Sequence, residues 1–552
     1  MKLLPFVTVA LLACAPALAF AQEQEEHKVT LHGSVQSDIL FPQEDTSIGT
    51  GTYDSKVLTN TYADLQLQSW IVDAGARFEF NQYPLPGFEP NFKGWGVPHL
   101  YVRGHYKGTE LTVGDFYEQF GSGFLLRTYE ERTLGIDNAL RGARLKMASL
   151  KGVVLKALFG AQRQYWKWST DSWVCGGDLE INFDEYCKAM QAHNFKWSLG
   201  GSYVMKREKD ENILVPETNY RLNLPMHVHG YGVRTQIRAG GFNILAETAF
   251  KTQDPSFDNN YTYQNGSAYM LSLSYSKKGI SALAQVKRSE NMSFRSQRSV
   301  QGTSLFINNM PAFAYQHTYA LAALYPYATQ AAPGEWAFQG EFGYTIPKKT
   351  ALGGKYGTKL KLNFSHIRGL DKTPCEKPLN TIYGTDGDKS SFFGMGELYY
   401  QDINLQIEKK FTKDFKLNFM YMNQMYNKNV IEGHGETIKS NIFVLDGKYQ
   451  FNKRFTLRME LQYLTTRQDE GDWAYGLAEL SVMPYLMFSI SDQWNVGETK
   501  LHYYMAQVVF NYKAHRLMAG YGRTRAGYNC SGGVCRYVPA SRGFQMAYNF
   551  NF

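Results

Sequence analysis

The charged residues that could do chemistry are densest between residues 114 and 144. This segment contains five carboxylates and four arginines but no lysine. The planar guanidinium of arginine pairs with a carboxylate through two parallel hydrogen bonds, so this composition predicts ion pairs. Such a cluster could fold inward and constrict a lumen, or it could form an ion-pair ladder that only stiffens a wall. The residues are Asp115, Glu118, Arg127, Glu130, Glu131, Arg132, Asp137, Arg141 and Arg144.

Other local patterns give little support for catalysis. Gly121-Ser122-Gly123 lacks the Lys-Ser/Thr ending of a phosphate-binding loop. His227 and His229 share one face at strand spacing and could ligate a metal, but without a visible third ligand we favour a metal-free pair. A hydrolase assembled across strands is the least favoured reading. We therefore expect a protein that is not an enzyme and has no cofactor.

The first 21 residues read as an export signal. Lys2 is followed by the apolar stretch Leu3–Leu12 and by the small-residue cleavage site Ala19-Phe20-Ala21. The alternative is a lipoprotein signal ending at Cys14. We expect residues 1–21 to be removed and residues 22–28 to form a short N-terminal segment before a single domain of residues 29–552.

The remaining cysteines suggest disulfides, because exported chains oxidise neighbouring cysteine pairs. Cys530 and Cys535 can close a small loop, and Cys175 and Cys187 flank a polar segment. Cys375 has no obvious partner.

Strict alternation of apolar and polar residues is the dominant pattern in the chain. Phe443, Leu445, Tyr449 and Phe451 alternate with polar or small residues, and many such runs reach 10–13 residues. Because successive side chains of a strand point to opposite faces, each run has one apolar and one polar face. Soluble β-sandwiches also alternate, but their strands are usually shorter. This length is that of a strand that crosses a bilayer at a tilt.

The spacing of turns predicts the architecture. Short turns on one side and long loops on the other are typical of an outer-membrane barrel, and the turns predict about 22–26 antiparallel strands with short periplasmic turns and long extracellular loops. The expected turns are 71–73, 107–110, 148–152, 207–211, 238–241, 276–279, 307–312, 347–355, 411–414, 452–454, 482–484 and 511–515. The expected long loops include 41–58, 83–96, 164–193, 369–395, 427–440 and 525–540.

The C-terminus has the pattern of a final barrel strand. Large apolar side chains occupy every second position to the last residue, as the barrel-insertion machinery of Gram-negative bacteria requires. A β-chain in lipid must also close, because no water satisfies a free edge. The residues are Phe544, Met546, Tyr548, Phe550 and Phe552.

Composition agrees with an all-β membrane protein. The 552 residues have a mean hydropathy of −0.38, which argues against a bundle of transmembrane helices. Aromatic residues make up 15%, as interfacial girdles would require. The net charge of +8 has no Lys/Arg tract of the nucleic-acid-binding kind, so we expect no nucleic-acid partner.

The whole mature chain resembles a family of uncharacterised outer-membrane β-barrels from Bacteroidota. The resemblance rests on Gly114–Gly123, Tyr129–Gly142, Asp402–Tyr426 and Cys530–Gly543. It implies a large transmembrane antiparallel barrel in the outer membrane, and it transfers no catalytic residue. It does not suggest a TonB-dependent receptor, since strands begin by Val29 without a preceding plug domain.

These observations predict a channel or a surface binding and transport protein with charged residues lining the lumen. The alternative is an accessory barrel for secretion or surface assembly, with a plugged lumen and a secretion or surface-lipoprotein partner. Outer-membrane lipid and the barrel-insertion machinery are the expected contacts in either case.

Overall fold

The chain forms a closed antiparallel β-barrel of 24 strands. The computed structural model describes residues 29–168, 171–216, 218–374 and 384–552. The first strand, Thr30–Pro42, pairs with the second strand and also with the last, Ser541–Asn551, so the sheet has no free edge. The prediction of an all-β barrel with 22–26 strands is confirmed.

The barrel strands follow one another in chain order. They are β1 Thr30–Pro42, β2 Leu58–Gln68, β3 Val72–Asn81, β4 Gly94–Tyr106, β5 Thr109–Phe116, β6 Leu140–Met147, β7 Val153–Gln164, β8 Ser172–Asn182, β9 Phe195–Glu208, β10 His227–Ala239, β11 Phe242–Lys251, β12 Gly266–Lys277, β13 Ile280–Glu290, β14 Glu335–Ile346, β15 Thr358–Pro374, β16 Asp388–Lys410, β17 Phe415–Asn427, β18 Thr437–Gln450, β19 Phe455–Thr466, β20 Trp473–Val482, β21 Leu486–Asn495, β22 His502–Tyr512, β23 His515–Thr524 and β24 Ser541–Asn551.

The remaining elements are short. The α-helices are Lys188–Ala192 and Lys428–Glu432, and the 3-10 turns are Thr46–Ile48, Pro90–Phe92, Phe183–Glu185 and Phe257–Asn259. Besides the barrel strands, short strands form the pairs Gln119–Phe120 with Leu126–Arg127, Glu130–Glu131 with Ile136–Asp137, and Gly527–Ser531 with Val534–Val538. The short strand Lys167–Trp168 pairs antiparallel with the end of β7. Within the described ranges, no helix is long and apolar enough to cross a bilayer.

Alternation places the two kinds of side chain on opposite faces of the wall. Phe443 and Leu445 are exposed on the outside, whereas Ile442 and Val444 are buried inside. Their cross-strand partners obey the same rule, since Phe443 lies opposite Tyr463 and both are exposed. The outer face is therefore apolar, as contact with lipid requires, and the inner face is mixed.

The two ends of the barrel differ in their connections. Eleven short connections lie at the end that also holds both ends of the barrel chain, and twelve mostly longer ones lie at the other end. Two expected turns are wrong, because 207–211 leads into a long loop and 307–312 lies inside the barrel. The expected loop 164–193 is also wrong: β8 crosses there, and residues 183–194 form a turn at the short-turn end.

The last strand closes the barrel with its apolar face outward. Phe544 and Phe552 are exposed, and the Phe544 ring lies 6.0 Å from that of Phe41 on β1. The backbone N–H groups of Phe552 and Gly33 each donate to the other's carbonyl, at 2.9 and 3.0 Å. This geometry accounts for the alternating apolar residues; their reading by the insertion machinery stays a prediction.

One of the two expected disulfides is present. Cys530 and Cys535 are joined across the hairpin of residues 527–538. Cys175 and Cys187 are free, so that predicted pair is wrong. Cys175 lies in β8 seven residues before its end at Asn182, which puts about 20 Å of strand between the two cysteines. Cys375, Cys14 and the expected signal peptide lie outside the described residues.

Candidate functional site in the barrel lumen

Two connections at the long-loop end fold back into the barrel. We name residues 117–139 the first inner segment and residues 291–334 the second inner segment. They contact each other, since the Arg127 N–H donates to the Ile307 carbonyl at 2.9 Å and the Asn308 amide donates to the Phe124 carbonyl at 2.8 Å. Phe124 and Ile307 are completely buried, in one apolar cluster with inward-facing residues of the wall. The lumen is therefore occupied by the chain's own connections.

A network of ion pairs joins the first inner segment to the wall. We name it the ionic cluster. Arg77 of β3 donates to Glu130 Oε2 at 2.9 Å and to Asp64 Oδ1 at 2.8 Å. Arg132 bridges the same carboxylates, with Nε 2.7 Å from Glu130 Oε1 and Nη2 2.8 Å from Asp64 Oδ2. The members are Asp64, Arg77, Glu79, Glu130, Arg132, Asp137 and Arg163.

The most deeply buried part of the ionic cluster surrounds Arg163 of β7. Its two terminal nitrogens donate to both oxygens of Glu79 at 3.0 and 2.8 Å, and one of them also reaches Asp137. Burial raises the pKa of Asp137, but Arg163 and Arg77 outweigh this effect and hold that pKa below its ordinary value. Burial dominates at Glu130 and raises its pKa. The cluster thus keeps charges in a place where an unpaired charge would be costly.

Most of the remaining predicted residues also lie in the lumen. Arg144 Nε donates to Glu118 Oε2 at 2.5 Å, and Lys156 Nζ donates to Glu118 Oε1 at 2.8 Å. Burial raises the pKa of Glu118. The two hydrogen bonds lower it by more than burial raises it, so the pKa of Glu118 is below its ordinary value. Arg127 stacks over Tyr129 at 5.4 Å, and Glu131 accepts the backbone N–H of Thr133 within its own turn.

The expectation of a lumen position is wrong for Asp115 and Arg141. They form a bidentate pair at 2.8 and 2.7 Å, but on the outer face of the wall. Asp115 has the same parity on β5 as Leu111 and Val113, which are 50% and 56% exposed. The Arg141 guanidinium lies 4.1 Å from the centre of the Trp168 ring. The pair therefore lies on the outer side of the wall, with Asp115 itself buried beneath its neighbours.

His227 and His229 also face outward. They alternate with the buried Val228, and Tyr203 hydroxyl lies 2.8 Å from His229 Nδ1. In the part of the chain that the structure describes, no group of three metal-ligating side chains occurs.

A second set of buried charges fixes the beginning of the second inner segment. Lys206 Nζ lies 2.7 Å from Asp254 Oδ1, and Lys251 Nζ lies 3.2 Å from Asp254 Oδ2. Arg298 of the inner segment reaches Glu208 of the wall, with Nε 3.1 Å from Oε2. All five side chains are at least 98% buried.

The middle of the second inner segment follows the inside of the wall. We name residues 315–325 the wall strap. Residues 315, 317, 319 and 321 contact β15, β16, β18 and β19 in that order, and Tyr319 also accepts from Asn418 of β17, so this part of the strap runs across the strands. Tyr325 returns to β17. The contacts are Tyr315 N–H to Ser365 Oγ (3.0 Å), His317 Nε2 with Asp402 Oδ2 (3.1 Å), Tyr319 OH to Asp446 Oδ2 (3.3 Å), Leu321 N–H to Gln462 Oε1 (2.8 Å) and Gln424 Nε2 to Tyr325 O (3.0 Å).

The disulfide hairpin, residues 527–538, covers both inner segments. The Thr329 N–H donates to the Gly533 carbonyl at 2.9 Å, and Arg536 donates to the Thr133 carbonyl at 3.0 Å. The last connection of the barrel therefore contacts the two earlier connections that enter it.

A cavity of about 320 Å³ lies between the wall strap and the short-turn end. We name it the lysine cavity. Tyr315, His317 and Tyr319 line its strap side, and inward-facing side chains of β15 to β19 line the rest. Its charged wall residues are Lys359, Lys361, Glu408, Lys416, Asp446, Lys448 and Arg458.

Several important lumen residues were missed from the sequence. Arg77 and Glu79 lie on a strand with clear alternation, and their inward position could have been read from it. The wall strap carries no comparable signal, because its contacts join residues that are 50 to 141 positions apart.

The closed sheet, its apolar outer face and its occupied lumen of mixed polarity define a membrane-spanning β-barrel protein. The chain belongs to DUF6029, a family of unknown function, which matches it over residues 1–552. No curated protein matches the chain.

Solved structures to which the chain is similar include outer-membrane receptors and porins. The siderophore receptor PirA from Pseudomonas aeruginosa has 10% identity and a TM-score of 0.41, covering 96% of this chain and 82% of that one. The outer membrane protein OpdK from the same species has 10% identity and a TM-score of 0.36, covering 84% and 99%. A BenF-like porin from Pseudomonas fluorescens has 9% identity and a TM-score of 0.35, covering 85% and 98%.

Proposed function

We propose that the protein is an outer-membrane channel whose lumen is narrowed by its two inner segments. A barrel of 16 to 18 strands already leaves an aqueous channel, and this barrel has 24 strands. We infer that a cylinder of this width leaves room for a solute path beside the inner segments. The long-loop end faces the outside of the cell and the short-turn end faces the periplasm.

The wall strap is the observation that carries this proposal. It lies along the wall, where separate hydrogen bonds join it to strands β15 to β19, and its Leu321 and Leu324 are buried in the apolar cluster. Each such bond contributes about 1 kcal/mol net, and none of them belongs to the strand pairing of the barrel, so release of the strap would leave the sheet itself intact. Below it, Lys361 and Lys448 are exposed inside the lumen, as water-contacting residues of a channel are.

An accessory barrel with a plugged lumen is the second candidate. The buried apolar cluster between the inner segments favours it, because such a cluster excludes water from that half of the lumen. This role includes a secretion or surface-lipoprotein partner that would use the long loops. Neither candidate includes a catalytic step.

Conductance in planar lipid bilayers tests the proposal. We expect wild-type protein to give discrete ohmic steps, and a variant with residues 312–330 replaced by a short Gly/Ser linker to give larger ones. Shortening the exposed loop at Gly49 and Gly51 is the matched control and is expected to leave the step size unchanged. Heat-modifiable migration on a denaturing gel verifies that each variant is folded. If neither wild type nor the strap-deleted protein conducts, the channel is excluded in favour of the accessory role.

A further inference from the structure

Three cations form a row across three adjacent strands inside the lysine cavity. Lys416 of β17 is the cross-strand partner of Lys448 on β18, and Lys448 is the partner of Arg458 on β19. Directly opposed residues have Cβ atoms about 4.5–5.5 Å apart, and like charges in such pairs are destabilising. The wall therefore maintains an unfavourable row of charges at this position.

The carboxylates of the cavity neutralise only the ends of this row. Glu408 is 2.5 Å from Lys416 Nζ and 3.0 Å from Lys359 Nζ. Asp446 accepts two hydrogen bonds from Arg458 at 3.0 and 3.2 Å, and Arg458 also contacts Glu460.

The middle of the row has no counterion. Within the described residues, neither Lys448 nor Lys361, which lies three strands away on β15 and lines the same cavity, makes an ion pair, and both are exposed to the lumen. The cavity lining has five cations and two carboxylates. An excess of positive charge in a concave, partly enclosed space attracts anions more strongly than the same charge on a flat surface does.

The side chains of the cavity favour anion binding with rapid exchange. Lysine ammonium groups are strongly hydrated point charges on flexible stems, whereas arginine forms fixed bidentate pairs. Four of the five cations that line the cavity are lysines, namely Lys359, Lys361, Lys416 and Lys448, and the fifth is Arg458. Phosphate and carboxylate groups could exchange among such ammonium groups without a large reorganisation of the wall.

We propose that the lysine cavity binds small polyanions that carry phosphate or carboxylate groups. This inference rests on the proposed function, for which it names the class of solute. The cavity, at about 320 Å³, holds a molecule the size of tripolyphosphate or citrate. The bound anion would sit between Lys361 and Lys448, under the wall strap.

Calorimetric titration of the full-length protein in detergent tests the site, with tripolyphosphate and citrate as separate probes. The variant is Lys361→Gln with Lys448→Gln. The matched control is Lys349→Gln with Lys453→Gln, which removes the same charge from exposed turns at the same end of the barrel. We expect the cavity variant to bind about tenfold more weakly and the control to bind within about twofold of wild type.

The two probes identify the group that is recognised. Binding of tripolyphosphate alone assigns the site to phosphates, and binding of citrate alone assigns it to carboxylates. If wild type binds neither probe, or if the cavity variant binds as tightly as the control, the inference is wrong. If the protein binds a probe through these lysines but never conducts, the anion site is supported and the channel is rejected. If it conducts but shows no lysine-dependent binding, the channel is supported and the anion site is rejected.

Discussion

The ionic cluster and the wall strap hold chain inside the same lumen in different ways. In the ionic cluster, three arginines and four carboxylates from the first inner segment and the wall are joined by multiple ion pairs. In the wall strap, the polar contacts to the wall are separate hydrogen bonds, two of them to the carboxylates of Asp402 and Asp446. Leu321 and Leu324 add apolar burial, and the strap itself contains no carboxylate, lysine or arginine.

This difference separates a fixed part of the lumen from a movable one. Removing one member of a buried ion network leaves another charge uncompensated and costs about 3–5 kcal/mol. Losing one neutral hydrogen bond costs about 1–3 kcal/mol when the partner stays buried. Local opening follows the cheaper contacts. We therefore expect the polar contacts of the strap to open under conditions in which those of the first inner segment hold.

Replacement of Arg163 should have the largest effect. Arg163→Leu leaves Glu79 and Asp137 without their main partner, and we expect the free energy of unfolding to fall by about 3–5 kcal/mol. Urea unfolding in micelles, followed by tryptophan fluorescence, measures this change. Arg238→Leu is the control, since Arg238 is exposed and bonds only to neutral amides, and its effect should stay within about 0.5 kcal/mol. Equal effects of the two variants would remove the distinction between the two regions.

Replacement of Gln462 should have a smaller and more local effect. Gln462→Leu removes the acceptor of the Leu321 N–H, a buried contact of the wall strap. We expect a loss of about 1–3 kcal/mol in the opening free energy of the strap. Chymotrypsin cleavage within residues 311–331, followed by mass spectrometry, measures that opening.

The same digestion of Arg238→Leu gives the baseline. Faster cleavage of Gln462→Leu with an unchanged urea midpoint is the expected result. A fall in the midpoint without faster cleavage would mean that the strap is part of the rigid structure.

Acid should lower the free energy of unfolding slightly, through protonation of the ionic cluster. Because the pKa of Asp137 is lower in the folded chain than in the unfolded chain, its ionised form stabilises the folded barrel above about pH 4. This contribution is lost as the pH falls through the folded pKa. Glu130 works in the opposite sense, since burial raises its pKa.

Comparison with Asp137→Asn isolates the Asp137 contribution, because both proteins retain Glu130. We expect the urea midpoint of wild type to fall more steeply below about pH 4 than that of the variant. Parallel curves for the two proteins would show that Asp137 does not contribute to the acid sensitivity.

Most of the wall could be predicted from the sequence, because alternation and turn spacing are local signals. The errors arose where local composition misleads. Residues 207–211 are charged like a tight turn but begin a long loop, and residues 183–194 are long enough to look like a loop but form a turn. Asp115 is two and four residues from Val113 and Leu111 on the same strand, so the sequence already indicated that it shares their outward face.

The lumen could be predicted only in part. The charged segment 114–144 correctly indicated an inward cluster, because unlike charges at this density need partners. Its partners Arg77 and Arg163 and the whole wall strap depend on contacts between distant parts of the chain. No local pattern determines which loop enters the barrel, since packing inside the closed wall decides it.

The disulfide hairpin belongs to the last connection before β24, the strand that completes the cylinder. Its hydrogen bonds to Thr133 and Thr329 require both inner segments to lie in the lumen. Removal of either inner segment would therefore take away one of the bonds that anchor this hairpin, so the order of the last surface loop depends on what the lumen contains.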